Sequence, residues 1–331
     1  MSQATVAAPR RQWLGEGGWR QLFRERPIIP LVGLLVLLVV VSELVRPGTV
    51  TPNWAGVMLR AAVPLAILAA CQTLTMLTGG IDLSVGQVAS VSGFLVATLV
   101  GDFGLPLAIV AALLASALAG LVNGIGVGVF RVHPLIMTLG MTLVVFGLAN
   151  VWQLLMVQTG AGVPELFGDL GAGRFLNVIP NSLIVFVPLA ALILLTLHRS
   201  GYGRLLYAIG DNPIAARLSG VRSWQVLIVL YVISAVLAGI AGFLYSGLSN
   251  VASVTLVNTS LLPSIAAAVI GGTSILGGRG GFGGTIIGAL ILAVVSSLLS
   301  SLGQPESVRQ ILFGAIIIVV AAAYSRVTAE S

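Results

Sequence analysis

The sequence predicts an all-α polytopic membrane protein with about ten transmembrane helices, and three observations carry that expectation. Only 8% of the 331 residues are charged and mean hydropathy is +1.09, whereas a soluble domain carries about 25% charged residues to hydrate its surface. Apolar runs long enough for a bilayer recur along the whole chain. Arginines gather in alternate connections between those runs.

A bilayer asks for about 20 mostly apolar residues per helix, because backbone N–H and C=O groups find no water in the hydrocarbon. The runs that qualify are 28–45, 57–78, 84–101, 105–130, 134–157, 179–197, 225–247, 262–276, 283–302 and 308–324. Residues 1–27 precede the first run with Arg10, Arg11, Arg20, Arg24 and Arg26 spread along them, and that run ends in Ser42 and Glu43 instead of a small-residue cleavage site. They are read as a cytoplasmic tail and a first span, not a signal peptide. Residues 28–324 form the membrane domain, and 325–331 a second cytoplasmic tail. Ser, Gly, Gln and Pro interrupt 84–101 and 262–276, so each is a candidate re-entrant or broken helix.

With the N-terminus inside, twelve arginines fall on the cytoplasmic side: the five of the tail, Arg131, Arg199, Arg204, Arg217, Arg222, Arg279 and Arg326. Arg46, Arg60, Arg174 and Arg309 fall on or near the other side, and twelve against four obeys the positive-inside rule. The formal charge of +6 is therefore read as matching anionic lipid and not nucleic acid. Gly120, Gly124 and Gly128 lie four apart on one face of the fourth span, and Gly280, Gly284 and Gly288 are expected to do the same on the ninth, allowing close helix packing. The single cysteine, Cys71, sits inside an apolar run and excludes both a disulfide framework and a cysteine metal cluster.

Between the sixth and seventh spans lies a polar island, GYGRLLYAIGDNPIAARLSGVRSWQ, residues 201–225. Asn212 before Pro213 is a helix start, since Asn caps free N–H groups and Pro lacks one to leave free. Gly220 is the matching stop. The two turns between them put Ile214 and Leu218 on one side. So short a helix needs a partner surface, either a groove in a soluble protein or lipid headgroups.

Energy must come from elsewhere. There is no GxxxxGK[ST] loop, and a chain without lysine cannot hold one. Residues 278–283 match GxGxxG formally but follow no strand, and read as a tight cytoplasmic turn. Enzyme chemistry is also absent from the pattern: His133 and His198 lie at helix ends, and no carboxylates pair at catalytic spacing. Asp82 is the best intramembrane carboxylate and sits at a span end, which argues against a proton relay. There, with Ser84, it places negative charge at a helix N-terminus.

Three segments carry a family resemblance. LTGGIDLSVGQVASVSG (77–93), GRLLYAIGDNPIAARLSGV (203–221) and IAAAVIGGTSILGGRGGFGGTIIGA (265–289) lie in order, and the likeness extends over residues 28–324. The chain resembles permease subunits of bacterial ABC importers of the ribose, xylose, arabinose and galactose group. The resemblance implies an ABC importer permease fold with a short cytoplasmic coupling helix within 199–222, working with a second permease, cytoplasmic ATPases that bind ATP, and an extracytoplasmic sugar-binding protein. This chain itself would hold no cofactor. Gly203, Arg204, Tyr207, Asp211, Asn212, Ala215, Ala216, Arg217 and Gly220 match the ATPase-coupling segment. Gly79, Gly80, Asp82, Ser84 and Gly86 match the first signature, and Gly271, Gly272, Thr273, Gly277, Gly278, Gly280 and Gly284 the last. Two departures stand out: Leu261, Leu262, Pro263 and Ser264 replace the acids that many relatives carry there, and Asp211 replaces a common glycine.

For a translocation path, polar side chains inside spans are the natural candidates, since lipid disfavours them. Gln72, Thr73, Thr75, Asn123, Asn150 and Gln153 qualify, with Thr138. Each has helix-to-helix hydrogen bonding as its plainer use. Neutral amides and hydroxyls suit an uncharged polyol.

Overall fold

The computed structural model describes residues 28–156, 162–175 and 178–329, with side chains described as far as Val319. The expected tail 1–27 and its five arginines lie outside the described residues. So do the last two residues of the expected 325–331 tail, whose earlier part continues the final helix.

Helix α1 (Ile28–Val45) lies at the edge of the bundle, with Ser42 its one buried residue. This suits a span whose neighbours are lipid chains. Helix α2 (Pro52–Leu77) starts where the Thr51 hydroxyl accepts the Trp54 N–H at 3.1 Å, with Pro52 in its first turn. It is buried from Ala62 to Leu77. Helices α3 (Val85–Phe103) and α4 (Leu105–Gly128) form a hairpin with one residue between them. That residue is Gly104, whose φ of 74° would strain any side chain. Helix α5 (Pro134–Met156) leans on α3 and α4 with one face open.

Helix α10 (Ser223–Ser249) is the centre of the bundle and packs on α2, α3 and α4. Its fit to α4 uses Gly120, Gly124 and Gly128. A Cβ on Gly124 would lie 2.6 Å from the Ile228 Cα, and one on Gly128 2.9 Å from the Trp224 carbonyl. The glycine stripe therefore serves packing within the chain. Cys71 is buried in the same core, its thiol 3.2 Å from the Ser234 carbonyl.

At one end of the bundle, a seven-residue helix α6 (Glu165–Gly171) covers the end of α10, and a two-stranded ribbon, β1 (Arg174–Phe175) with β2 (Ile179–Pro180), lies against α2. Phe167 stacks on Phe243 with ring centroids 4.8 Å apart. The Arg60 guanidinium donates to the Ala172 carbonyl at 2.7 Å, and Arg174 bonds Asn53. No hydrophobic period announces elements this short. Helix α7 (Ser182–Arg199) returns to the opposite end.

The eighth span departs from expectation. Helix α11 (Leu261–Ile270) has ten residues, about 15 Å of helix against a hydrocarbon thickness of about 30 Å. Gly271 and Gly272 end it, and residues 271–281 continue as turns to α12 (Phe282–Ser301). The stretch 262–276 is thus half helix and half broken segment. For the same reason Gly280 is not on the ninth span: it lies before α12 with φ 122°, because a run of glycines does not nucleate helix. Gly284 and Gly288 do share a face, packed on Gly271 and Ala267. The expected break at 84–101 falls instead just before that run, in residues 78–84, and α3 is unbroken. Helix α13 (Glu306–Ala329) completes the second half beside α11.

Among the described residues eight helices are long and apolar enough to cross a membrane; α11, too short to cross, and α13 stand where the eighth and tenth spans were expected. The chain is a multi-pass membrane protein.

Candidate functional site

The connections 129–133, 200–222 and 271–281 meet at the end of the bundle opposite α6. That end carries Arg131, Arg199, Arg204, Arg217, Arg222 and Arg279. Arg46, Arg60, Arg174 and Arg309 belong to the other. The arginine partition expected from sequence is thus present among the described residues.

Most of the polar island is helical. Helix α8 (Gly201–Asp211) is capped by Ser200, whose hydroxyl accepts the Gly203 N–H at 3.0 Å. It buries Gly203, Leu206 and Ile209 on one face. Sequence reasoning left this helix unassigned, although the Ser200 cap and the apolar spacing at 206 and 209 are signals for it. The chain then turns at Asn212, whose Oδ1 accepts the N–H groups of Ile214 and Ala215 at 3.0 and 2.9 Å. This starts α9 (Pro213–Leu218) as expected. Gly220, with φ 83°, ends it, and the Val221 N–H returns to the Ala216 carbonyl at 3.1 Å. Ala216 is buried, while Ile214 and Leu218 are 63% and 85% exposed. Arg217 donates to the Pro213 carbonyl. Helix α9 thus presents two apolar side chains and an arginine outward from a base held by α8.

The three signature segments, far apart in sequence, touch here through their backbones. The Gly278 N–H donates to the Leu77 carbonyl at 3.0 Å. Gly210 lies on that hydrogen bond: a Cβ there would run into the Leu77 carbonyl and come 2.5 Å from the Gly278 nitrogen. A Cβ on Gly277 would sit 3.0 Å from the Gly79 nitrogen. Side chains add two ties. The Tyr207 hydroxyl donates to the Gly280 carbonyl at 2.8 Å, and Tyr202 to the Val226 carbonyl of α10 at 3.0 Å. Burial pushes the Tyr207 hydroxyl above its ordinary pKa, so it stays a donor. Asp211 packs against Gly278, and Arg204 stays exposed on α8. Gly271 meets Gly284 and Thr285, Gly272 holds φ 87°, and Thr273 is wholly buried against Gly280.

From Leu77 the chain folds back along α2. Gln72 donates to the Asp82 carbonyl at 2.8 Å. The Asp82 carboxylate accepts the Ser84 N–H and hydroxyl at 2.9 and 2.6 Å, which places it just ahead of the α3 N-terminus as the sequence suggests, though it bonds no N–H within the helix, and it also takes the Ser234 hydroxyl at 3.4 Å. Asn123 reaches Ser84 from α4 at 2.9 Å. Thr138 on α5 accepts the Leu83 N–H at 3.0 Å. Gly80 touches Pro134, and Gly86 lies against Val257 and Leu261. The broken segment is therefore clamped by α2, α4, α5 and α10, with Gln72 Oε1 and Asn123 Oδ1 buried and unpartnered among the described residues.

The path candidates divide accordingly. Gln72, Asn123 and Thr138 converge on the Asp82 segment, and Thr73 bonds Thr285 of α12 at 2.7 Å. Thr75 bonds carbonyls of its own helix. Asn150 donates to the Phe146 carbonyl, also in its own helix, and with Gln153 lies on the open side of α5. No single cavity gathers all six among the described residues.

Residues 55–321 match the family described as "Branched-chain amino acid transport system / permease component". The chain is 38% identical over 295 residues to the ribose import permease protein of Escherichia coli strain K12, covering 88% of this chain and 91% of that protein. It is 32% identical over 303 residues to the fructose import permease protein of Rhizobium meliloti, covering 89% and 84%. It is 31% identical over 317 residues to the galactofuranose transporter permease protein of Escherichia coli strain K12, covering 91% and 90%. No solved structure matches the chain. A helical membrane core with two broken segments joined to one short exposed helix, matched over most of its length, therefore belongs to the branched-chain amino acid transport system / permease component family.

Proposed function

We propose that this chain is the membrane-spanning permease subunit of an ATP-driven ABC importer of a simple sugar, a pentose, hexose or related polyol. The sugar permeases it resembles over nearly their full length favour that cargo over the amino acids of the family description. The arginine partition supports a cytoplasmic N-terminus in a bacterial inner membrane. ATP would be bound and hydrolysed by a separate cytoplasmic subunit docked on α9. A second permease, identical or paralogous, would complete the pore, and an extracytoplasmic binding protein would deliver the sugar over α6 and the ribbon. Neutral polar groups such as Asn150 and Gln153 on the open side of α5 are the candidates for lining the path.

One observation carries the mechanism: α8, which bears α9, meets the backbone of Leu77, where the first broken segment begins, and of Gly277 and Gly278 in the second, and Gly277 in turn meets Gly79. Closure of the ATPases displaces α9, and the displacement reaches 78–84 and 271–281 without passing through flexible side chains. Binding protein and ATP then each favour a different state, and their differential affinities drive the cycle.

The test is reconstitution of the chain in liposomes with its ATPase and binding protein, following ribose uptake. Uptake should need all three and ATP. Arg217→Glu should insert normally but lose ATPase co-purification and uptake. Uptake by the chain alone, or an Arg217→Glu variant that co-purifies and transports normally, refutes the reading.

A further inference from the structure

Beside α9, a pocket of about 580 Å³ has three arginines in its lining, Arg131, Arg217 and Arg222. They come from separate elements: the α4–α5 loop, α9, and the residue before α10. No carboxylate lines the pocket, and among the described residues the only ion pair is Arg309 with Glu306, at the opposite end. Arg217 uses one N–H on its own helix, while the side chains of Arg131 and Arg222 make no hydrogen bond among the described residues. The Ser223 hydroxyl, also in the lining, is buried and unpartnered. It stands in the first turn of the 27-residue α10, whose N-terminus adds positive potential. Arg131 holds φ 57°, a conformation unfavourable to any residue with a Cβ, where glycine would be relaxed.

The next residue, Val132, lines a second cavity. This groove, of about 710 Å³, lies between α3, α4 and α5, and among its lining residues only Ser92, Ser116 and Trp152 carry polar side-chain atoms. From Ile136 to Trp152 it follows about 24 Å of α5. An unpaired basic pocket beside an apolar groove that runs along a span matches one kind of ligand.

We propose that this end of the protein binds one anionic phospholipid, with its phosphate on Arg131, Arg217, Arg222 and the Ser223 hydroxyl and an acyl chain in the groove. A carboxylate from a docking protein would satisfy the arginines but leave the groove unused. A headgroup held there bridges α9 to the α4–α5 loop, so lipid composition sets how firmly the coupling segment is seated.

Native mass spectrometry of the full-length chain, exchanged into phosphatidylglycerol or phosphatidylcholine, tests this. The parent should retain phosphatidylglycerol selectively. Arg131→Gln and Arg222→Gln should each weaken retention about fivefold and the double variant about twentyfold. Arg222→Lys should stay within about twofold, which separates charge from misfolding. Ala115→Phe, which fills the groove, should lower phosphatidylglycerol retention, and glycerol phosphate should not displace the lipid. Equal retention of the two lipids, parent-like retention by the double variant, or loss in Arg222→Lys overturns the proposal. So does full displacement by glycerol phosphate, which would mark a soluble-anion site. A double variant that keeps its lipid but loses ATPase co-purification overturns it too, since the pocket would then receive a protein carboxylate.

Discussion

Replacing Gly210 by alanine should uncouple ATP hydrolysis from transport while leaving the spans in place. The added Cβ meets the Leu77 carbonyl and comes 2.5 Å from the Gly278 nitrogen, and both are backbone atoms that cannot rotate away. Overpacking of this kind costs about 1–3 kcal/mol, and stranding the Gly278 N–H, now 3.0 Å from Leu77, adds about 1–3 kcal/mol. Even about 2 kcal/mol shifts the docked population of α8 about thirtyfold. Gly201→Ala is the control, because the nearest atom to its Cβ would be the Arg204 Nη2 at 3.8 Å and alanine favours helix. In proteoliposomes holding ATPase and binding protein, Gly210→Ala should lose at least tenfold in sugar uptake with hydrolysis retained, and Gly201→Ala should match the parent. Parent-like uptake by Gly210→Ala would refute the claim that force passes through this backbone junction.

Three further outcomes follow from the same geometry. Asn212→Ala removes the acceptor for two N–H groups and should cost α9 about 1–2 kcal/mol, seen as amide exchange about 5–30 times faster at residues 214–218. Gly124→Leu should force α4 off α10 and lower the thermal midpoint in detergent, whereas Gly140→Ala, with nothing within 4 Å, should not. Asp82→Ala strands the Ser84 and Ser234 donors, at about 1–3 kcal/mol for each one left unmet, while Asp82→Asn keeps an acceptor and should lie nearer the parent in the same melt.

How much of this could be read from residues alone varies with the length of the element. Spans such as 28–45 and 134–156 were legible because about 20 apolar residues leave lipid-crossing helix as the only way to pair the backbone. The eighth span was read too long, since Ile275 and Leu276 prolong the apolar run past Gly271 and Gly272, where helix stops. Helix α8 was hidden by Gly201, Gly203 and Gly210. Those glycines lower its intrinsic propensity, yet Gly203 and Gly210 are where α7, α2 and the 271–281 segment come close enough to hold it. Asn212, Pro213 and Gly220 marked the ends of α9 because capping is local chemistry. The convergence of Gln72, Asn123 and Thr138 on residues 81–84 was not legible, because composition marks a buried polar group without naming its partner.

Helix α10 runs unbroken from Arg222, beside the coupling segment, to Gly247, which packs on Phe167 of α6. Its 27 residues make a rod about 40 Å long. A rod works as a lever: a tilt of about 5° about one end carries the other through about 3.5 Å, close to the 4.8 Å separation of the Phe167 and Phe243 rings. In the proposed importer, nucleotide state at one end and receptor grip at the other would thus be geared to each other by a single rigid part.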